Sequence, residues 1–236
     1  MEKLILAYHR VNDWSDDTLV VPPGEFRRQL TFLKARYRVV PLLELAEARP
    51  EPGGQRLAAI SFDDGYRDNF RWAASILAEL KLTATFFLTA GLIGTDRLLP
   101  RDRAGADFEG NGLMTWTEVI RLQAQGFSFG SHGLSHLKLT GADPETARRE
   151  IAESKQIIET RLEREVNLFC YPYGAWNEEV ARLVAGAGYR YAFVTPGGRQ
   201  AGENDYTLKR VGVYRHTAFW QFRLKTHPLY RKLRGR

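Results

Sequence analysis

The chain has 236 residues, of which 44% are hydrophobic and 26% are charged. This length and composition allow one domain with a full hydrophobic core, and they exclude an intrinsically disordered chain. Cys170 is the only cysteine, which excludes an internal disulfide and a zinc site built from several thiolates. Any metal ion must therefore be held by histidine and carboxylate side chains.

The positive charge is concentrated at the C-terminal end of the chain. The formal net charge is +6, yet residues 206–236 hold nine lysines and arginines and no acidic residue, which leaves the rest of the chain slightly acidic. This is not the mixture of basic and aromatic residues found in nucleic-acid-binding modules, so we expect no nucleic-acid partner. Residues 1–7 are too few for a signal peptide or a membrane span, which predicts a location in the cytoplasm or at the inner face of the membrane.

Short apolar runs rich in β-branched and aromatic residues recur along the chain, and helical patterns separate them. The predicted strands are 4–8, 37–41, 57–62, 84–89, 127–130, 166–171 and 189–194. Continuously apolar strands of this kind are typical of a parallel sheet covered by helices. Repeated strand-then-helix units predict an α/β fold, either a (β/α) barrel or a doubly wound sheet.

The helices between these strands have recognisable first residues. We predict helices over 25–36, from Thr115 (which heads a Thr-x-x-Glu capping box) to Gly126, over 143–164, and from Asn177 to Gly186 or Gly188. Segment 91–113 has no periodicity, and we expect a long loop over one end of the sheet.

Two adjacent carboxylates, Asp63 and Asp64, directly follow the predicted strand 57–62. Barrels and open α/β sheets place their active sites at the carboxyl ends of the strands, which makes both residues candidates for catalysis. An isolated Asp-Asp-Gly is more often only an Asx turn followed by a helix cap.

His132 and His136 follow the predicted strand 127–130 at the same edge of the sheet. Residues four apart lie on one side of a helical turn, so both imidazoles could reach one ion. Such a pair is often a surface coincidence when it stands alone. Two histidines plus one carboxylate form a facial set with open positions, which suits Zn²⁺ or a similar divalent ion.

A Tyr171-Pro172-Tyr173-Gly174 turn ends a third strand. Such a sequence needs no function, because Pro and Gly commonly form turns. Beside a metal ion, however, a rigid turn can aim a backbone N–H at a developing oxyanion.

Taken together, these motifs resemble those of the polysaccharide deacetylases, also called the NodB-homology group or carbohydrate esterase family 4. The resemblance spans about residues 4–195 and rests on the Asp63-Asp64 pair, the His132-x3-His136 pair and the turn at Tyr173, in this order. It implies a distorted (β/α)7 barrel in a single domain. It further implies that Asp64, His132 and His136 ligate the metal, that Asp63 is the general base, and that the Tyr173 N–H helps to hold the oxyanion.

The chain departs from the family pattern at Cys170, where the family usually has an arginine that orients the base. Cys170 cannot replace it. Either another cation, such as Arg67 or Arg210, takes over this role, or Asp63 is held less firmly.

Two histidines are candidates for the general acid. The late Leu-x-His motif of the family is missing, and His216 lies in a poor substitute for it. The deacetylases of biofilm poly-N-acetylglucosamine resemble a circular permutation of the family, with the acid in a Tyr-His-Arg sequence on the first strand. Tyr8-His9-Arg10 matches that pattern, which makes His9 the preferred candidate, although a histidine packed at a strand end needs no function.

The resemblance implies a hydrolase that removes N-acetyl groups from an amino-sugar polysaccharide or oligosaccharide. The implied cofactor is a divalent metal ion, with Zn²⁺ preferred over Co²⁺ or Ni²⁺, and the implied partner is an N-acetylated glycan. Two alternatives stay open, namely an O-acetyl carbohydrate esterase and a carbohydrate-binding protein that has lost its chemistry. The sequence does not indicate the oligomeric state.

We assign residues 1–216 to the catalytic barrel and 217–236 to a basic C-terminal helix and tail. Four apolar residues, Phe219, Trp220, Phe222 and Leu224, belong to this helix. Two roles are open for it: a last helix that seals the barrel, or a peripheral contact with anionic lipid.

Overall fold

A computed structural model describes residues 2–49, 54–105, 112–194, 204–228 and 230 of the chain. The predicted loop 91–113 and the C-terminal tail each lie partly outside these residues, since 106–111 and 231–236 are not among them.

The main sheet contains nine strands in the described part of the chain, and all of its pairings are parallel. These strands are β1 (Lys3–Tyr8), β4 (Arg38–Val39), β5 (Leu57–Phe62), β6 (Thr85–Leu88), β7 (Ser128–Ser131), β8 (Leu168–Cys170), β9 (Tyr191–Val194), β10 (Leu208–Lys209) and β11 (Val211–Gly212). Two further strands, β2 (Arg10–Val11) and β3 (Val20–Val21), form a small separate sheet.

The sheet closes on itself through the last two strands. Its order is β10-β9-β8-β7-β6-β5-β1-β11, and only Arg210 separates β10 from β11. The segment from Leu208 to Gly212 therefore pairs with β9 through its first half and with β1 through its second half. β1, β5 to β9 and this segment occupy seven positions around the circle, as expected for a (β/α)7 barrel, and the fold prediction is confirmed.

Strand register brings several strand ends to one edge of the barrel. β1 and β5 pair along their whole length and finish together at Tyr8 and Phe62, while β6 and β7 finish at Leu88 and Ser131. Hydrogen bonds continue the register past the strands, because the Asp63 N–H donates to the Tyr8 carbonyl (3.0 Å) and the His132 N–H donates to the Leu88 carbonyl (2.8 Å). The side chains that follow these strands therefore meet at the carboxyl edge.

Seven α-helices surround the barrel in the described residues. They are α1 (Pro23–Lys34), α2 (Leu42–Glu47), α3 (Ala74–Glu79), α4 (Trp116–Ala124), α5 (Pro144–Leu162), α6 (Glu178–Gly186) and α7 (Phe219–Lys225). A π-helical turn (Asn69–Ala73) leads into α3, and short 3-10 turns lie at Pro100–Gly105, Leu139–Gly141 and Pro172–Gly174.

The predicted helix N-caps at Thr115 and Asn177 are confirmed, although several helix boundaries differ from the prediction. The capping box of Thr115 and Glu118 is present, and the Asn177 side chain accepts from the Val180 N–H at the start of α6. α1 begins and ends two residues before the predicted helix, because Pro23 itself occupies the first turn. α5 ends at Leu162, where Glu163 turns the chain with a φ of 51°.

The predicted helical turn at the histidine pair is wrong. Segment 132–136 does not form a helical turn, and His136 adopts a φ of 62°.

Segment 91–105 contains no strand and no α-helix, as predicted for a loop. It packs against the barrel, since Leu92, Ile93 and Leu99 are buried in the core. It is also anchored by its 3-10 turn, where Asp102 accepts a hydrogen bond from the Tyr66 hydroxyl at 2.7 Å.

The barrel interior is apolar at one end and polar at the other. Alternate residues of a strand point to opposite faces, so those of β5 divide between two clusters. Leu57 and Ala59 pack into a small inner cluster with Phe87 and with Leu42 of α2, which covers the amino ends of the strands. Ser61 and Asp63 continue the same inward face toward the carboxyl edge, where the polar site begins.

α7 packs on α1 through its apolar side. The Phe222 side chain is fully buried, and the rings of Phe219 and Phe222 lie 5.7 and 6.2 Å from the ring of Phe32. The Tyr37 hydroxyl donates to the Thr226 carbonyl at 2.7 Å. Trp220 and Leu224 point away from this contact and are exposed.

We expect Phe222→Ala to lower the free energy of unfolding by about 3–5 kcal/mol, because the buried ring would leave a cavity between α1 and α7. Urea denaturation would measure this loss. Trp220→Ala is the matched control on the exposed side of the same helix and should change stability by less than about 0.5 kcal/mol. Equal losses in the two variants would show that α7 does not pack through Phe222.

Candidate metal and catalytic site

Asp63 is a buried carboxylate held at both oxygens by one arginine. The Arg210 Nη1 and Nη2 atoms donate to Oδ1 and Oδ2 of Asp63, each at 2.7 Å, and both side chains are at most 1% exposed. Arg210 also donates to the Ser61 hydroxyl at 3.0 Å and lies 3.0 Å from the Cys170 sulfur. A bidentate contact of this kind fixes the plane of the carboxylate.

Burial and Arg210 act on Asp63 in opposite directions. Burial alone would raise the pKa of Asp63, but the charge and hydrogen bonds of Arg210 hold that pKa below its usual value. Asp63 is therefore ionised at neutral pH although water barely reaches it.

Asp64, His132 and His136 converge on one point. Their ligand atoms all lie within 4.8 Å of one another. Asp64 Oδ1 is 3.2 Å from His136 Nε2 and 3.5 Å from His132 Nε2. This buried oxygen has no hydrogen bond of acceptable geometry within the described residues. A divalent ion would supply the missing partner, so the three residues fit a metal ion of the kind that prefers nitrogen and oxygen ligands.

The protonation states of His132 and Asp64 suit metal binding. Burial alone would lower the pKa of His136, but the adjacent Asp64 carboxylate raises it above its usual value, so a metal ion would have to displace a proton there. Burial lowers the pKa of His132 to about 4, which leaves its imidazole neutral. Its Nδ1 lies 2.8 Å from the Cys170 carbonyl, which can only accept, so Nδ1 carries the proton and Nε2 keeps a free lone pair. Burial would raise the pKa of Asp64, yet the neighbouring histidines, His136 first, bring it well below its usual value.

Asp63, His132 and Cys170 form a second group close enough to hold an ion. Both Asp63 oxygens face the positively charged guanidinium of Arg210, which disfavours a cation at this position. Burial also raises the pKa of the Cys170 thiol, which disfavours the thiolate that a metal needs. The trio with Asp64 is therefore the better metal site.

Glu150 of α5 holds the loop between the two histidines. Its carboxylate accepts from the backbone N–H groups of Leu134 (3.0 Å) and Ser135 (2.8 Å) and from the Ser135 hydroxyl. His136 itself has a φ of 62°, a conformation that costs a non-glycine residue about 1–3 kcal/mol. We infer that the buried Glu150 carboxylate stabilises this loop.

Glu150 was not predicted as a site residue, although the sequence contains a signal for it. Glu150 lies on the buried stripe of α5, together with Ala147, Ile151, Ser154 and Ile158. A charged residue on the apolar face of a helix usually has a buried partner. The partner itself, a loop 15 residues away, could not be read from the chain.

The two candidates for the general acid lie in different surroundings. His9 Nε2 is 3.8 Å from Asp63 Oδ2, and the His9 ring stacks on Tyr214 with the centroids 6.0 Å apart. His9 Nδ1 is buried without a hydrogen bond in the described part of the chain. His216 is exposed. The geometry therefore brings His9, and not His216, to the Asp63 carboxylate.

The turn that carries Tyr173 lies beside the metal trio. The Tyr173 ring contacts the His136 ring with the centroids 4.5 Å apart, and 57% of the Tyr173 residue is exposed. The backbone φ angles of Tyr173 and Gly174 are 60° and 63°, which gives this turn its sharp shape.

The two arginines proposed as substitutes for the family arginine are now distinguished. Arg67 pairs with Glu118 of α4 at 2.8 Å and is partly exposed, whereas Arg210 binds Asp63. The substitute cation is therefore Arg210, which comes from the closing segment of the barrel.

Comparisons with known proteins agree with this geometry. The sequence model of the polysaccharide deacetylase family matches residues 51–192, more than half of the chain. YxkH of Bacillus subtilis, a protein assigned to the polysaccharide deacetylases, is 28% identical over 213 residues, which cover 89% of this chain and 70% of YxkH. The poly-β-1,6-N-acetyl-D-glucosamine N-deacetylase of Staphylococcus aureus is 24% identical over 172 residues, which cover 66% of this chain and 54% of that enzyme.

Solved structures share the fold. The deacetylase PplD of Streptococcus pyogenes, in complex with acetate, superposes with a TM-score of 0.81 at 22% identity. The superposition covers 97% of this chain and 99% of the PplD chain. IcaB from Ammonifex degensii gives a TM-score of 0.75 at 22% identity, with 90% and 91% covered.

The family model matches the segment that carries the aspartate pair, the histidine pair and the Tyr173 turn, the motifs on which the resemblance rested. The resemblance drawn from the sequence is thus confirmed, and the chain belongs to the polysaccharide deacetylase family of hydrolases.

Proposed function

We propose that this protein hydrolyses N-acetyl groups of an amino-sugar polysaccharide or oligosaccharide with the help of a divalent metal ion, for which Zn²⁺ is the best candidate. One observation carries the proposal: Asp64 and the two histidines form a metal trio beside Asp63, a carboxylate that Arg210 keeps ionised. The choice of an amide substrate rests on the name of the Staphylococcus aureus relative, of which this chain spans about half.

In the proposed mechanism Asp64, His132 and His136 hold the metal ion. When bound, such an ion polarises an acyl oxygen and lowers the pKa of a bound water toward about 7. Asp63 is the general base, because it is ionised and adjacent to the trio but is not itself needed as a ligand. Arg210 aligns its carboxylate, which is the role that the missing family arginine would have.

His9 is the proposed general acid for the departing amine. It lies 3.8 Å from the base and is partly accessible, with 13% of its side chain exposed, whereas Asp63 is closed off from solvent. The Tyr173 N–H is the proposed donor to the oxyanion, since its turn packs against His136. Loss of one such donor typically costs about 3 kcal/mol of transition-state stabilisation.

We expect Asp63→Asn to lower kcat by about 10²–10⁴-fold while bound zinc is retained, because the amide cannot accept the proton of water. His132→Ala should lose both zinc and activity. Acetate release from N-acetylated chitooligosaccharides and zinc content by elemental analysis measure the two effects, and circular dichroism checks the fold.

The matched control for His132→Ala is His216→Ala, since His216 is exposed. The control should keep both zinc and activity. Full activity after complete chelation, or in Asp63→Asn, contradicts the mechanism. Release of acetate from O-acetylated xylan but not from chitooligosaccharides would identify an esterase instead.

We expect Arg210→Met to reduce kcat by about 100-fold through misalignment of Asp63. The acidic limb of the pH profile should also move to higher pH. Burial raises the pKa of Asp63 once Arg210 no longer lowers it, and only the ionised carboxylate acts as a base. Arg210→Lys should be more active than Arg210→Met, because lysine keeps the positive charge although it cannot form the bidentate contact of the guanidinium with Asp63. An unchanged pH profile in Arg210→Met would refute the positioning role.

We expect Glu150→Gln to weaken zinc binding by about 10–100-fold. The carboxylate of Glu150 accepts hydrogen bonds from the loop that carries His136, and glutamine replaces one of the two accepting oxygens with an NH2 donor. Competition with a chromophoric chelator measures the affinity. Glu153→Gln, an exposed change on the same helix, is the control and should bind zinc normally. Equal zinc affinity in both variants would show that Glu150 does not position the ligand loop.

A further inference from the structure

The surface where α1 and α7 meet forms a basic, aromatic face. A groove of about 510 Å³ lies there, and none of the described residues that line it is acidic. It is lined by Phe32, Arg36, Tyr37, Arg56, Trp220, Arg223, Leu224, Thr226, His227 and Pro228. We call this surface the α1/α7 face.

Two large apolar side chains project from the α1/α7 face into solvent. Trp220 is 65% exposed and Leu224 is 41% exposed, while Phe222 between them is fully buried. Residues four apart share one side of a helix, so Trp220 and Leu224 form one outward apolar stripe. Apolar side chains that are exposed side by side are a common feature of contact surfaces.

Arginines surround this apolar stripe. Arg36, Arg56 and Arg223 are all exposed. The guanidinium groups of Arg36 and Arg223 lie 3.8 and 5.8 Å from the ring of Phe32, and Arg56 lies 3.5 Å from Glu2. The face therefore combines an indole and a leucine with three arginines, of which Arg56 is paired with Glu2.

The α1/α7 face lies away from the catalytic edge of the barrel. Arg36 and Arg56 directly precede β4 and β5, so they stand at the amino ends of the strands. The metal trio stands at the carboxyl ends. A partner on the α1/α7 face would thus leave the entrance for the glycan open.

We propose that the α1/α7 face binds the surface of an anionic lipid bilayer. Tryptophan is favoured at the boundary between head groups and acyl chains, and arginines beside it attract anionic head groups. Each such basic residue typically strengthens binding about fivefold. The proposed contact is peripheral. No helix of the described residues combines the length and apolar character needed to cross a bilayer.

Sedimentation with vesicles tests this proposal on the full chain. We expect binding to vesicles of phosphatidylcholine mixed with phosphatidylglycerol at low ionic strength, weaker binding at high ionic strength, and none to phosphatidylcholine alone. The double variant W220S/R223E should bind at least tenfold more weakly. Its release of acetate from soluble chitooligosaccharides should stay unchanged.

A double variant of the same chemistry on another helix provides the control. Ile120 and Arg121 of α4 are also an exposed apolar and an exposed basic residue, so I120S/R121E should bind vesicles like the unaltered chain. Absence of binding to the anionic vesicles, or an equal loss in both double variants, would overturn the proposal. So would a dimer of the unaltered chain that W220S/R223E converts to monomer, since the face would then bind a second copy of the chain.

Discussion

The buried pair of Arg210 and Asp63 is the interaction on which the rest of the site depends. It joins the closing segment of the barrel to the end of β5, and it places two opposite charges in the buried polar end of the barrel interior. Burying either charge alone would cost several kcal/mol, so each group requires the other. Because the pair is bidentate, the same contact that neutralises the charges also fixes the orientation of Asp63, the proposed base.

Much of the fold could be predicted because it follows from local patterns. Continuous apolar runs marked the strands, and start signals such as Thr115 and Asn177 marked the helices. The aspartate and histidine pairs were found because parallel strands bring their carboxyl ends to one edge. The positions of these side chains after the strands thus made them candidates, and the family resemblance supplied their roles.

What could not be predicted depends on contacts between distant parts of the chain. The His132–His136 spacing indicated a helical turn, but the chain forms an open loop there, because Glu150 accepts hydrogen bonds from its backbone. The choice between Arg67 and Arg210 depended on which of them reaches Asp63, and a sequence separation of 147 residues gives no local signal of that contact. Cys170 illustrates the same point, because the strand position that it occupies still adjoins the substitute guanidinium.

The way in which the barrel closes determines when the protein can become catalytically active during its synthesis. Asp63 and the two histidines leave the ribosome well before Arg210, and β11 must then pair with β1, from the beginning of the chain. A nascent polypeptide that ends before Arg210 would contain the proposed metal ligands but lack the guanidinium that orients Asp63. Under the proposed mechanism, hydrolysis therefore requires the first and last strands of the barrel to pair, and an incomplete translation product is inert.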